Sequence, residues 1–208
     1  MKHAPLSWTK GAAIAMAGAG LLSFLSPPVK ADSAPPAGEL AVGKAVRPFT
    51  LPKFDGARES VGNWNGAKAT VVIFVSTHCP VSGAYNGRMI ALEQTYGPRG
   101  VRIFGVDANK QETPDNIAAF VKEKGFNFPW LKDSGNAIAD RFGARVTPEA
   151  YVIDSSGTLR YWGRIDDSKE PEGVTTHDLA NALDAVLAGR AVPAGQSPAF
   201  GCGIKRVG

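Results

Sequence analysis

The sequence predicts an α/β fold, a mixed central sheet with helices on both faces. Three observations carry this. Thr70 to Ser76 (TVVIFVS) is a continuous β-branched and aromatic run, the pattern of a strand buried on both faces. A strand, helix, strand, helix alternation then extends through Val121. Glu149 to Asp154 (EAYVID) and Thr158 to Trp162 flank Ser155-Ser156-Gly157 as a hairpin, and a last apolar-striped helix follows. This order places parallel strands at one side of the sheet and antiparallel strands at the other.

Phe49, Leu51 and Phe54, followed by Asp55-Gly56, read as a first strand and turn lying against the main sheet. After the central strand, Tyr85, Met89, Leu92 and Tyr96 recur at spacings of four, three and four, one apolar stripe of a helix that Gly97-Pro98 ends. Val101 to Asp107 (VRIFGVD) is the second strand. Thr113-Pro114 supplies an N-cap and a first-turn proline to a helix carrying Ile117, Phe120 and Val121. A short segment over Phe128 to Leu131 and a small helix, Ala137 to Phe142, lead to the hairpin. Thr176 is expected to cap the last helix, whose Leu179, Leu183, Val186 and Leu187 share a face, with Gly189 beyond its end. Pro193 to Gly208 shows no regular pattern.

The 208 residues suffice for one well-buried core. Residues 1–31 read as a secretory signal peptide: a basic start, an apolar stretch from Gly11 to Leu25, and a small-residue site at Val29-Lys30-Ala31. The alternative is a leader that stays uncleaved and holds the chain at a membrane. Residues 32–39, begun by DSAPPAG, have the composition of a flexible lead-in. A single domain over 40–190 and a tail over 191–208 complete the expected organisation, with an exported, periplasmic or extracellular location. The net charge is +4, but Lys2, Lys10 and Lys30 precede the first acidic residue, so a chain cut after Ala31 carries +1. With no basic cluster and no series of aromatic platforms, nucleic-acid binding is excluded as a class.

Export would place the two cysteines, Cys79 and Cys202, where disulfides form and persist. Cys79 stands in Ser76-Thr77-His78-Cys79-Pro80-Val81-Ser82, between the central strand and the striped helix. Unpaired N–H groups at a helix start favour thiolate, the nucleophilic form, and Pro80 gives up a donor that such a start leaves unpaired. Cys79 is therefore the candidate nucleophile.

Phe74 to Ser82 (FVSTHCPVS), Arg145 to Asp154 (RVTPEAYVID) and Gly157 to Tyr161 resemble the redoxin (AhpC/TSA-like) branch of the thioredoxin-like superfamily, over roughly residues 41–189. The resemblance implies a thioredoxin-like fold. It also implies a cis Thr147-Pro148 bond facing Cys79, with the Thr147 backbone free to pair with an extended substrate. Ser76, His78 and Ser82 become candidate modulators of the thiolate. Departures matter as well. Thioredoxins have a second cysteine three residues after the first, where this chain has Ser82. Peroxiredoxins have Thr or Ser three residues before the reactive cysteine, matched by Ser76, but also a proline seven before, where Val72 stands, and an arginine near the position of Pro148. An efficient peroxidase is not expected.

Without a local partner, a mixed disulfide on Cys79 is resolved by another molecule or by Cys202. Three readings of Cys202 stand open: a resolving thiol that cycles, a static disulfide that pins the tail, or an independent thiol. A crosslink closing so long a loop would stabilise by roughly 4–5 kcal/mol in the chain-entropy model. Two other classes compete with a thiol oxidoreductase: a copper-binding module using His78 or the distant His177, and a redox-silent module that holds a peptide. Arg164 to Glu172 reads as an exposed loop without chemistry. The expected partners are protein or small-molecule thiols and disulfides, or peroxides. No bound metal or cofactor is required, since nothing resembles a flavin, nicotinamide or haem site.

Overall fold

The computed structural model describes residues 40–208, so the expected signal peptide and lead-in lie outside the described residues. A six-stranded sheet forms the centre. Its strands are β3 (Ala69–Val75), β4 (Val101–Asp107), β5 (Trp130–Lys132), β7 (Glu149–Asp154), β8 (Leu159–Gly163) and β9 (Gln196–Ser197), in the order β5-β4-β3-β7-β8-β9. β3 pairs in parallel with β4 and antiparallel with β7. The parallel and antiparallel halves thus meet at the strand that precedes Cys79.

β3 is buried at every position because both its faces are covered, and its side chains alternate between two cores. Val71, Ile73 and Val75 meet Met89, Leu92 and Tyr96 of α2 (Asn86–Tyr96) and Leu179 and Leu183 of α5 (Asp178–Leu187). Val72 and Phe74 face the other way, toward Phe142 of α4 (Ala137–Phe142) and toward Phe49 and Leu51 of β1 (Phe49–Pro52). Phe142 sits edge-on to Phe49, Phe74 and Tyr151, the T-shaped contact aromatic quadrupoles favour. In β4, a Cβ at Gly105 would lie 3.1 Å from the Trp130 ring, so glycine lets the buried indole of the neighbouring strand close against the backbone.

Three local expectations change. The striped helix does not begin at the cysteine: a five-residue helix, α1 (Pro80–Ala84), comes first, and Tyr85 separates it from α2. The stripe itself holds, with Tyr85, Met89, Leu92 and Tyr96 all buried. β1 is one arm of a hairpin with β2 (Arg58–Val61), which lacks an apolar alternation to announce it. The last helix is capped at His177 and not at Thr176, whose N–H instead reaches the Asp167 carboxylate. Thr113 does cap α3 (Pro114–Lys124), its hydroxyl accepting the Asn116 N–H at 3.2 Å.

The chain after Pro193 is also more regular than its sequence. β9 extends the main sheet beside β8, and β10 (Cys202–Gly203) pairs antiparallel with β6 (Val146–Thr147). Among the described residues, no helix is long and apolar enough to cross a membrane.

Candidate functional site

Cys79 occupies the cap position of α1, extended at φ −82° and ψ 116°, and is 5% exposed. Five residues make a weak dipole, so what acts on the sulfur is a set of individual donors. The Ser82 N–H reaches Cys79 Sγ at 3.3 Å. As a thiol, Cys79 donates to the Thr147 carbonyl at 3.2 Å. Thr147 belongs to β6 and is followed by the cis bond to Pro148, as the resemblance implies.

β10 brings the second cysteine to this point. Its register sets Cys202 opposite Thr147 and Gly203 opposite Val146. Cys202 and Cys79 are free thiols close enough to act on one another's ionisation, Cys79 buried and Cys202 half-buried. The approach comes from a seated tail rather than a loose one. The Ile204 N–H bonds to the Arg145 carbonyl at 3.0 Å, and the Lys205 carbonyl accepts from the Lys110 N–H at 2.8 Å. The Asn109 and Asn136 side-chain oxygens accept the N–H groups of Lys205 and Val207 at 2.9 and 2.8 Å. Arg206 ties the end to Asp140 and to the Ala144 carbonyl.

This arrangement splits the two thiols electrostatically. Burial opposes ionisation of Cys79, but donors from Cys202, Ser82 and Thr147 together hold its pKa below the ordinary thiol value. Cys202 moves the other way, raised by its bond to Cys79, by burial and by the neighbouring thiolate charge. Of the two thiols, Cys79 is therefore the more readily ionised.

The turn before Cys79 is built on Glu112, a residue that no pattern in the sequence marks. Its carboxylate is 1% exposed, in the loop between β4 and α3. It accepts from the Ser76 hydroxyl, from the Thr77 N–H at 2.6 Å and from the Thr77 hydroxyl at 2.7 Å. Ser76 Oγ in turn accepts the N–H groups of His78 and Cys79, at 3.2 and 3.1 Å. Beneath lies Asp107, the last residue of β4, with Lys132 Nζ 2.8 Å from one of its oxygens. Its other oxygen is buried with no donor facing it, unless Asp107 itself carries a proton toward Glu112. Burial, the bond to Glu112 and the Glu112 charge, opposed by Lys132, push Asp107 up to about 8. Glu112 is held down to about 2: burial opposes its charge, but Asp107, Ser76 and Thr77 all donate to it. One proton, two carboxyls and one ammonium thus close a neutral buried cluster.

The expected site residues divide accordingly. Cys79, Cys202, Thr147 and Ser82 converge, with Pro148 buried behind Thr147. Ser82 acts through its backbone N–H, because its hydroxyl instead accepts from the Ser76 N–H at 3.4 Å. Ser76 acts on the Cys79 backbone and not on the sulfur. His78 is exposed, its ring 2.9 Å from the Thr77 hydroxyl and 3.7 Å from Glu112. His177 is exposed at the start of α5. Among the described residues, no cluster of three or more His, Cys, Asp or Glu side chains is arranged to hold a metal ion. The stretch from Arg164 to Glu172 corrects an expectation: Asp166 is 2% exposed and takes an ion pair from Arg88 at 2.6 Å.

The AhpC/TSA family model matches residues 42–162. The thiol-disulfide oxidoreductase ResA of Halalkalibacterium halodurans is 30% identical over 123 residues, 59% of this chain and 65% of that protein, so the chain spans less than two thirds of its length. A hypothetical protein from Sinorhizobium meliloti superposes with a TM-score of 0.75 at 31% identity, covering 81% of this chain and 96% of that one. A peroxidoxin from Mycobacterium tuberculosis superposes with a TM-score of 0.58 at 18% identity, covering 74% of this chain and 100% of that one, a likeness of fold that makes this fold thioredoxin-like. The family match takes in more than half of the chain and includes the Cys79 turn and Thr147-Pro148 while ending before Cys202: the chain belongs to the AhpC/TSA family.

Proposed function

We propose that the chain is an exported thiol-disulfide oxidoreductase in which Cys79 is the nucleophile and Cys202 the resolving thiol, working on a domain over 40–190 with the cysteine-bearing tail 191–208. The observation that carries this is the register of β10, which sets Cys202 opposite Thr147, the residue whose carbonyl lies 3.2 Å from Cys79 Sγ. A relative named thiol-disulfide oxidoreductase, 30% identical, supports the reaction class.

The Cys79 thiolate attacks one sulfur of a substrate disulfide. The other sulfur leaves with the bonding electrons, and a mixed disulfide forms on Cys79. Cys202 then attacks Cys79 Sγ, its proton passing to the departing substrate sulfur, and the Cys79–Cys202 disulfide closes. Two electrons have moved from the cysteine pair to the substrate, and a thiol partner restores the dithiol. Donors from Ser82 and Thr147 stabilise Cys79 as nucleophile and as leaving group. The residues supply all of this without a bound cofactor. Export rests on the leader pattern of residues 1–31, and the mass of the N-terminus recovered from the extracytoplasmic fraction checks it.

The test is mass spectrometry of the protein alkylated across a series of thiol buffers. A reversible Cys79–Cys202 bond in the range of exchange proteins is expected. A bond resistant below about −300 mV would make it a structural staple, and thiols that never pair would overturn the resolving role. Cys79→Ser should abolish turnover, whereas Cys202→Ser should accumulate mixed disulfides on Cys79.

A further inference from the structure

A strand that pairs with β6 reaches Cys79. The Thr147 carbonyl lies 3.2 Å from Cys79 Sγ, so the residue that stands opposite Thr147 is delivered to the sulfur. In this structure that residue is Cys202. The tail holds the place an extended cysteine-bearing chain would need, a strand added to a free edge. Its anchors at Ile204, Lys205, Arg206 and Val207 follow Cys202 in the chain and keep β10 seated, with Cys79 only 5% exposed beneath it.

Gly201 makes the edge selective. Its φ is +157°, and a Cβ there would stand 2.0 Å from the Thr147 oxygen and 2.8 Å from its carbon. Those are backbone atoms of the residue that contacts Cys79, so nothing flexible can give way. A chain following the same path needs glycine immediately before its cysteine.

We propose that the tail is an internal stand-in for a polypeptide substrate: β6 accepts in its place an extended segment carrying a Gly-Cys pair whose cysteine is in a disulfide, and the seated tail keeps other chains away from Cys79. The proposal rests on Cys79 being the nucleophile. The segment displaces β10, and the Cys79 thiolate attacks its cysteine sulfur. The substrate S–S bond breaks, and the outgoing sulfur leaves as thiolate. The tail then returns, Cys202 attacks Cys79 Sγ, and the segment departs with a reduced cysteine that takes up the Cys202 proton.

The test uses the full chain with Cys202→Ser, which stops the second step and accumulates the adduct. Two peptides, Phe-Gly-Cys-Gly and Phe-Ala-Cys-Gly, each joined through its cysteine to thionitrobenzoate, report attack by released chromophore and by adduct mass. The glycine peptide should label Cys79 roughly tenfold faster or more, the cost of forcing a methyl against fixed backbone. Adding Arg206→Ala, which loosens the tail after Cys202, should raise its rate further. In the unaltered protein, the reduced glycine peptide should speed hydrogen exchange at the Ile204, Lys205 and Val207 amides. Equal labelling by the two peptides, or unchanged exchange, overturns the proposal while leaving the nucleophile in place. Failure of Cys79 to react even with cystamine overturns the nucleophile reading, and the proposal with it.

Discussion

Ser76 joins Glu112 to the Cys79 turn: its hydroxyl donates to the buried carboxylate while accepting the Cys79 N–H at 3.1 Å. A residue far from the cysteine in sequence thereby sets the backbone that aims the thiol. With Thr77 contributing two further donors, the turn hangs on one side chain.

Glu112→Gln keeps the shape but replaces a charged acceptor of four donors with an amide. Charge-assisted bonds lose strength, and stability should fall by about 1–3 kcal/mol in urea unfolding. Alkylation of Cys79 should shift its pH midpoint, because the turn that presents the Ser82 N–H is no longer fixed. An unaltered midpoint would confine Glu112 to a structural role.

Asp107 and Glu112 give stability opposite slopes with pH. Asp107, raised to about 8, binds a proton in the folded state that the unfolded chain releases near its ordinary value of 3.8, so stability falls as pH rises between these values. Glu112, lowered to about 2 from 4.5, contributes stability that grows as pH rises across that lower window. Each proton is worth about 1.4 kcal/mol per pH unit. The maximum is therefore expected on the acid side of neutrality. Buried Glu149, also raised, adds to the upper slope. Asp107→Asn should flatten that slope without removing it, which denaturant midpoints from pH 4 to pH 8 would show.

Much of the scaffold was legible because its signals are local. The run from Thr70 to Ser76, the stripe from Tyr85 to Tyr96 and the Thr113-Pro114 start each report burial or capping through neighbours in sequence. The Cys79 turn and Thr147-Pro148 could be paired through the resemblance. The tail could not, because Cys202 and Gly203 form a strand only through the edge that β6 offers, and no two-residue strand carries a periodicity. Glu112 and Asp107 were equally silent, since an acidic residue near a helix start normally reads as solvated. Asp166 shows the same limit: within a charged stretch only its distant partner, Arg88, reveals that it is buried.

Arg88 locks the loop of Asp166 onto the helix side of the site. One of its nitrogens reaches both Asp166 oxygens, at 2.7 and 2.6 Å, and the guanidinium lies 3.7 Å from the centre of the Tyr85 ring. Arg88→Ala leaves a buried carboxylate without its cation and should cost about 3–5 kcal/mol. Replacing both partners, Arg88→Leu with Asp166→Leu, should recover most of that loss. A thermal scan distinguishes the cases, and a single variant as stable as the parent would show that the pair contributes nothing.

Hydrogen peroxide should oxidise Cys79 slowly, at a rate within about an order of magnitude of a free thiolate. The donors around the sulfur hold its negative charge, but Val72 and Pro148 stand where the peroxiredoxin pattern has a proline and an arginine. Stopped-flow loss of thiol in the Cys202→Ser protein measures this directly. Rapid stoichiometric oxidation would move the family assignment toward its peroxide-reducing members.

Ser82 holds the position where a local resolving thiol would stand, 0% exposed with its N–H on Cys79 Sγ at 3.3 Å. Ser82→Cys places a second sulfur one helical turn from the first, and serine and cysteine differ little in volume. The introduced thiol should then capture Cys79 in a short-range disulfide and make Cys202 dispensable: turnover in Ser82→Cys with Cys202→Ser should match the parent, whereas Cys202→Ser alone should stall as mixed disulfide. Peptide mapping of the oxidised double variant would show which sulfurs are joined. If Cys79 remained reduced there, the turn would be too rigid to bend the two sulfurs together, and resolution from the tail would be a geometric requirement of this site.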